Sequence, residues 1–293
     1  MTYILKNKNL ELHMDDPNEN YNFSRFDWTG KITQLKYNDI PFSTIERTDD
    51  INQNLIGKGF YNEFGAKKVI GYEEIEIGDW FHKIGVGKLK KKYPKYKFDQ
   101  NLELVPAEFK VTSEDNSISI ECVSENIHGY AYILKKKISL LENGFSIEYF
   151  LENTGQKDIV TDEYTHNFLA INKEEIGANY ILKFPFELHQ EVFAKIVNIE
   201  NKVQLIDNEV RFSDSPKDQF FFRNLTGSEN WASSWELINL KQKLGIKETT
   251  SFHGTKADLW GWKHVISPEI FYNISLKPNE STKWLRTYEV FEL

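Results

Sequence analysis

Tyr130-Ala131-Tyr132-Ile133-Leu134-Lys135-Lys136-Lys137-Ile138-Ser139 and Phe145-Ser146-Ile147-Glu148-Tyr149-Phe150-Leu151-Glu152 stand on either side of Glu142-Asn143-Gly144. Both runs are rich in aromatic and β-branched residues, which suit a pleated surface. The Asn–Gly pair between them favours the positive backbone angles of a tight hairpin turn. The spacing therefore predicts two antiparallel strands. Working outward, the same rhythm recurs. Lys31–Tyr37 alternates polar and apolar residues and ends at Asn38–Asp39. Tyr3–Leu5, Leu10–Met14, Phe109–Thr112 and Ser117–Val123 complete the first half. In the second half, Tyr180–Phe184, Glu191–Ile199, Gln204–Ile206, Glu209–Phe212, Gln219–Arg223, Trp231–Asn239 and Leu244–Thr250 read as strands. His264–Ile266, Ile270–Leu276 and Thr282–Phe291 follow. Helical periodicity is nearly absent. Many short strands with turn punctuation predict an all-β chain, a large antiparallel β-sandwich with few short helices. No linker or composition break divides it, so residues 1–293 are expected to form a single domain.

Composition narrows the function. Aromatic residues make up 14% of the 293 residues, enough to fill a large core and leave rings for a ligand surface. The net charge of −8 argues against a phosphate backbone as partner, and so against nucleic acid. The one basic run, Lys88-Leu89-Lys90-Lys91-Lys92-Tyr93, reads as a solvated hairpin. A lone cysteine, Cys122, sits in a strand pattern and reads as a small buried hydrophobe, with no internal disulfide available to it. Met1–Lys6 is too polar for a signal peptide, and no apolar run approaches the roughly 20 residues of a membrane span. The expectation is a soluble cytoplasmic protein with no membrane partner. Asp49–Gly59 reads as a long surface loop of the kind that often serves a site.

No nucleotide motif, serine elbow or zinc spacing is present; Gly85-Val86-Gly87 is too short for a phosphate loop, and His253 and His264 have no third ligand beside them. No metal or cofactor is expected. What remains is His166 in Thr161-Asp162-Glu163-Tyr164-Thr165-His166-Asn167-Phe168-Leu169, which can exchange a proton near neutral pH. A structural histidine bonded inside a sheet accounts for the same residues. Four clusters mix charge with rings: Ser24–Trp28, Tyr61–Gly65, Trp80–Ile84, and Trp260-Gly261-Trp262 running into Ser267-Pro268-Glu269. Rings stack on the apolar face of a pyranose while charged groups bind hydroxyls in plane. Strand-end salt bridges beside core aromatics would look alike, one cluster at a time.

From Arg25 to its end the chain resembles the galactose mutarotase-like superfamily, which includes the aldose 1-epimerases. Ser24-Arg25-Phe26-Asp27-Trp28-Thr29-Gly30-Lys31-Ile32, Glu63-Phe64-Gly65, Phe81-His82-Lys83-Ile84-Gly85-Val86-Gly87 and His128-Gly129-Tyr130-Ala131-Tyr132 are similar to blocks of an uncharacterised bacterial subgroup. Glu163-Tyr164-Thr165-His166-Asn167-Phe168 is similar to the block around the catalytic histidine. Ser267-Pro268-Glu269, with Ile274–Glu280 after it, is similar to the end block. The resemblance implies a supersandwich fold, with Glu269 as general base and His166 as general acid. Arg25, Glu63, Lys83, Asn167 and Trp262 fall to substrate binding. The family's first-histidine motif is not recognisable, and Lys83 stands nearest to it; its sugar-binding aspartate has no identifiable counterpart. His82 and Lys83 alternate along one strand, so only one can face a site, and Lys83 is preferred.

The resemblance implies an enzyme that interconverts sugar anomers by acid–base ring opening, acting on a small sugar or sugar derivative. Acid and base are expected on opposite sides of the bound sugar. Two alternatives stay open: a non-catalytic sugar-binding or sensing protein, and a lyase or glycosidase using two carboxylates such as Glu63 and Glu269.

Overall fold

The computed structural model describes residues 2–19, 23–49, 56–66, 68–228, 231–254 and 256–293. Residues 50–55 of the expected loop Asp49–Gly59 lie outside them. Every paired strand is antiparallel to its neighbour. One ten-stranded sheet runs in the order Thr2–Lys6, Leu10–Asp15, Ile32–Tyr37, Phe60–Phe64, Ile159–Asn167, Val265–Leu276, Lys256–Trp262, Phe220–Arg223 and Lys195–Val197, with Ile40–Pro41 paired to Ile32–Tyr37. A second ten-stranded sheet runs Val203–Ile206, Glu209–Phe212, Tyr180–Lys183, Ala232–Asn239, Leu244–Gly254, Ser281–Glu292, Gly144–Asn153, Tyr132–Leu140, Ser117–Val123 and Glu108–Glu114. The chain is an all-β sandwich. Its helical content, among the described residues, is three turns of 3-10 helix at Tyr72–Glu74, Ile171–Lys173 and Gln190–Val192. Among the described residues no helix is long and apolar enough to cross a membrane.

Alternation decides which side chains enter the core. Leu12, Ile32, Phe60, Leu259, Ile266 and Ile270 of the first sheet meet Ile118, Leu134, Ile147, Trp235, Ile246 and Tyr288 of the second in one buried cluster. The hairpin read from Asn143–Gly144 is present, with Ile138 opposite Ile147 and Lys136 opposite Tyr149.

Two local results depart from the expected elements. Glu191–Ile199 is mostly not strand: Gln190–Val192 is a 3-10 turn, and only Lys195–Val197 pairs. The segments expected at His264–Ile266 and Ile270–Leu276 are joined in one strand, Val265–Leu276, that leaves His264 in the preceding turn and runs through Pro268. Proline costs a strand its ladder hydrogen bond unless that bond is already absent. The carbonyl of Pro268 points toward the Ile159–Asn167 strand, where it accepts from the Asn167 amide side chain at 2.6 Å. The missing N–H faces the same way, into a stretch where the backbone ladder is open.

A small third sheet, Trp80–Lys83, Gly87–Lys90 and Leu104–Pro106, has its own cluster of Tyr72, Ile75, Phe81, Leu89 and Leu102. Gly85 turns its first hairpin with φ of +73°, and a Cβ there would fall 2.1 Å from an Asp27 oxygen. It is a tight turn against a buried carboxylate. The basic run is only partly solvated. Lys88 and Lys90 are half-buried, while Lys91 is buried and donates to the carbonyls of Tyr72 and Ile75 at 2.8 Å each.

Candidate functional site

The ladder between Ile159–Asn167 and Val265–Leu276 pairs Ile159 with Leu276 through Tyr164 with Phe271, then resumes at the bridge between Leu169 and Ile266. The register is the same on both sides of the gap. Carried through it, that register sets His166 directly opposite Glu269 and Asn167 opposite Pro268. Residues opposite each other in antiparallel strands share a face. His166 and Glu269 therefore project together to the outer, concave face of the first sheet, and their neighbours one residue along turn into the core.

On that face lies a cleft of about 570 Å³, whose lining includes Arg25, Glu46, Tyr164, His166, Trp260 and Glu269. His166 Nδ1 is 2.7 Å from Glu269 Oε1. The two charges meet, yet the carboxylate is off the N–H axis, so this buried nitrogen has no aligned hydrogen-bond acceptor. Ser267 donates to the same Glu269 oxygen at 3.1 Å. On the other side of the ring, Nε2 is 2.7 Å from the Tyr164 hydroxyl, which donates to Glu63 Oε2 at 2.6 Å. Since Tyr164 gives its proton to Glu63, its oxygen accepts from Nε2–H. Phe168 stacks on the imidazole at 5.3 Å, and Phe26 meets it edge-on.

These contacts define the protonation state. Burial alone would lower the pKa of His166, but the adjacent Glu269 and the link to Glu63 outweigh it and push it up to about 9. The ring is an imidazolium at neutral pH. Arg25 Nη2, 3.2 Å from Nε2, pulls the pKa the other way, because its positive charge repels the imidazolium. Arg25 is held by a two-oxygen contact with Glu46, at 2.7 and 3.0 Å, and its guanidinium lies between the rings of Phe26 and Phe98 at 4.5 Å from each. Glu46 also accepts from the Gly57 N–H, which ties the near end of the expected loop to the site.

The sequence candidates divide by location. His166, Glu269 and Arg25 line the cleft together. Glu63 and Lys83 lie just behind them, both 1% exposed, with Lys83 Nζ 3.3 Å from Glu63 Oε1. Burial would raise the pKa of Glu63, but Lys83, His166 and Arg25 hold it down at about 2. His82 faces the opposite way and meets the carbonyl of Glu125. Asn167 turns into the core, as its place beside His166 requires, where it bonds Pro268 and Glu248. Trp262 donates its indole N–H to the carbonyl of Lys217 at 2.5 Å, and Trp260 is the tryptophan that lines the cleft.

Sequence reading missed Glu46, Tyr164, Ser267, Asp258, Lys195 and Arg223. Alternation carries a signal for some of them. Once Glu269 is known to face outward, Ser267 follows two residues away on its own strand. The partners on other strands follow only from the pairing.

No family model matches the chain, and no curated protein matches it. Solved structures do. A putative aldose 1-epimerase from Escherichia coli K12 superposes with a TM-score of 0.64 at 13% identity, covering 100% of this chain and 99% of its own. A galactose mutarotase-like protein from Lactobacillus casei gives 0.61 at 11%, covering 99% of this chain and 100% of that one. A galactose mutarotase related enzyme from Lactobacillus acidophilus gives 0.60 at 13%, covering 100% and 98%. At these identities the likeness is one of fold.

Proposed function

We propose that this chain, which has the galactose mutarotase-like fold, is an aldose 1-epimerase-type enzyme that interconverts the anomers of a sugar. The observation that carries the reading is the His166–Glu269 contact: an imidazolium and a carboxylate 2.7 Å apart at the wall of a sugar-sized cleft. A hemiacetal carbon bears two oxygens, one in the ring and one in the hydroxyl. A neighbouring acid and base can serve both at once.

In this mechanism Glu269 takes the proton of the C1 hydroxyl as that oxygen becomes the aldehyde carbonyl. His166 gives a proton to the ring oxygen as its bond to C1 breaks. Rotation about C1–C2 presents the other face, and the reverse transfers close the ring. No net proton is gained or lost. In the free chain acid and base touch rather than stand apart, so a bound sugar exchanges their direct contact for one contact with each. Tyr164 and Glu63 hold the imidazole from behind, and the Glu63 carboxylate adds to Glu269 in keeping it protonated. Glu63 itself, buried and bound by Lys83 and Tyr164, is a poor partner carboxylate for glycoside cleavage.

The test is anomer exchange followed by saturation-transfer NMR over glucose, galactose, xylose, rhamnose, glucuronate and glucose 6-phosphate. Acceleration for one sugar, lost in Glu269→Gln, supports the reading. Retained acceleration in that variant, or none for any sugar, refutes it.

A further inference from the structure

The cations of the cleft are not all accounted for. Arg25 is held by Glu46, Arg47 by Asp49 and Lys256 by Asp258. Arg223 and Lys195 also line the cleft, and among the described residues neither makes an ion pair or a side-chain hydrogen bond. Pairing explains where they are. Glu269 stands opposite Asp258, the register of Phe222 with Leu259 sets Asp258 opposite Arg223, and Lys195 stands opposite Arg223. The four side chains form one row across neighbouring strands. Strand spacing puts the Arg223 backbone roughly 10 Å from that of Glu269, with Lys195 one strand beyond.

The carboxylate between them also lines the cleft, but its oxygens are already engaged. Asp258 gives one oxygen to Lys256 at 2.5 Å and the other to the backbone N–H of Asn224 at 2.8 Å. The remaining acids of the cleft are placed elsewhere. Asp162 accepts from the N–H of Ala66 on the other side of Tyr164, and Asp99 follows Phe98 on the loop that covers Arg25. Arg223 is half-buried, so its charge is partly stripped of water with no counter-ion to replace it. Phe221, beneath Lys195, and Trp260 wall the same end of the cleft.

We infer that Arg223 and Lys195 bind an anionic substituent, a carboxylate or a phosphate, on the part of the sugar farthest from C1. The statement rests on the epimerase reading for which end of the cleft holds C1. Two cations have more to gain from an anion than from hydroxyls, since charge-assisted hydrogen bonds are about twice as strong as neutral ones. A planar guanidinium also matches either oxyanion in a two-point contact.

Affinity is measured on Glu269→Gln, which binds without turnover, by calorimetric titration with glucose, glucuronate and glucose 6-phosphate. At least one charged sugar is expected to bind about a hundredfold tighter than glucose, with the preference falling roughly tenfold for each cation removed in Arg223→Gln and Lys195→Gln. Glucuronate against glucose 6-phosphate tells which anion is meant. Arg223→Lys, which keeps the charge, is expected to retain part of the preference and controls for folding. Equal affinity for charged and neutral sugars, no binding of either charged sugar, or a preference that survives the double variant overturns the inference. A charged sugar that binds in this way to a parent chain without exchange activity would remove the epimerase reading and leave the anion site standing.

Discussion

The two faces of the strand Ile159–Asn167 carry charge in opposite ways. Its inner face belongs to a buried network in which each charged group has an opposite charge beside it, although Arg286 Nε and Asn167 Oδ1 have no hydrogen-bond partner. Lys136 binds Asp27 and Asn62 at 2.6 and 2.7 Å, Asn62 passes on to Glu163, and Arg286 bridges Glu163 and Glu248 at 2.7 and 2.6 Å. Trp235 and Asn167 close the remaining oxygen of Glu248, and Arg286 also donates to the carbonyl of Ile270. The outer face has His166 in contact with Glu269 at the cleft, and on the same surface, among the described residues, Arg223 and Lys195 have no counter-charge. His166 and the inner network are withdrawn from water, Arg223 is half-buried and Lys195 is exposed. On the proposed reading only the outer set has chemistry left to do. Burial of charge is a poor guide to a site in this chain, and incomplete pairing of charge is a better one.

The sharpest break of the comparison is on the outer face. Glu269→Gln and His166→Ala should each slow anomer exchange by about 10²–10⁴-fold while circular dichroism reports an unchanged fold, given what positioned acids and bases contribute. A variant that loses its fold along with its rate would put the pair among the structural charges.

On the inner face the same kind of edit should act on stability. Arg286→Met strands Glu163 and Glu248, all three being wholly buried, and should cost about 3–5 kcal/mol in a urea titration. Adding Glu163→Gln and Glu248→Gln should recover part of that loss. A small cost for Arg286→Met alone would mean that the network is hydrated.

A pH series separates the faces without mutation. Unfolded histidine titrates near 6.5 and folded His166 at about 9, so the stability its imidazolium contributes is full below about 6.5 and is lost as pH rises through about 9. Exchange activity should fall along the same alkaline limb. Tyr164→Phe removes the acceptor of Nε2–H and should move that limb to lower pH. An unmoved limb would show that Tyr164 does not support the imidazolium.

The smallest expected effect belongs to the third sheet. Lys91→Met leaves the carbonyls of Tyr72 and Ile75 without their donor and should cost about 1–3 kcal/mol, read as faster hydrogen exchange around Gly87–Lys90 with anomer exchange maintained.

Much of the sandwich was legible because alternation is a local property. Lys31–Tyr37, Ser117–Val123 and the hairpin at Asn143–Gly144 each announce themselves within ten residues. Phe60–Phe64 does not, because all five of its residues are buried and nothing alternates in exposure. Pro268 misled in a physical way: it reads as a break, and it is tolerated because the ladder is already open on its side. At the site, the resemblance brought His166 and Glu269 forward, but their direct contact depends on a pairing between strands far apart in sequence. Arg223 and Lys195 were beyond reach for the same reason. They sit near the free edge of the sheet, and no local pattern tells which way an edge strand faces.

The shared register of the two central strands also sets what change this protein can absorb over time. The chain between His166 and Glu269 holds much of the second sheet and several turns, and its connections can lengthen or shorten without moving either residue. A single residue inserted inside either strand is another matter. It would turn Glu269 or His166 into the core and bring Pro268 or Asn167 outward in its place. Lineages of this fold should therefore accumulate insertions freely in the loops while the intervals Ile159–His166 and Glu269–Leu276 keep their length, like two combs that may be dyed but not lose a tooth.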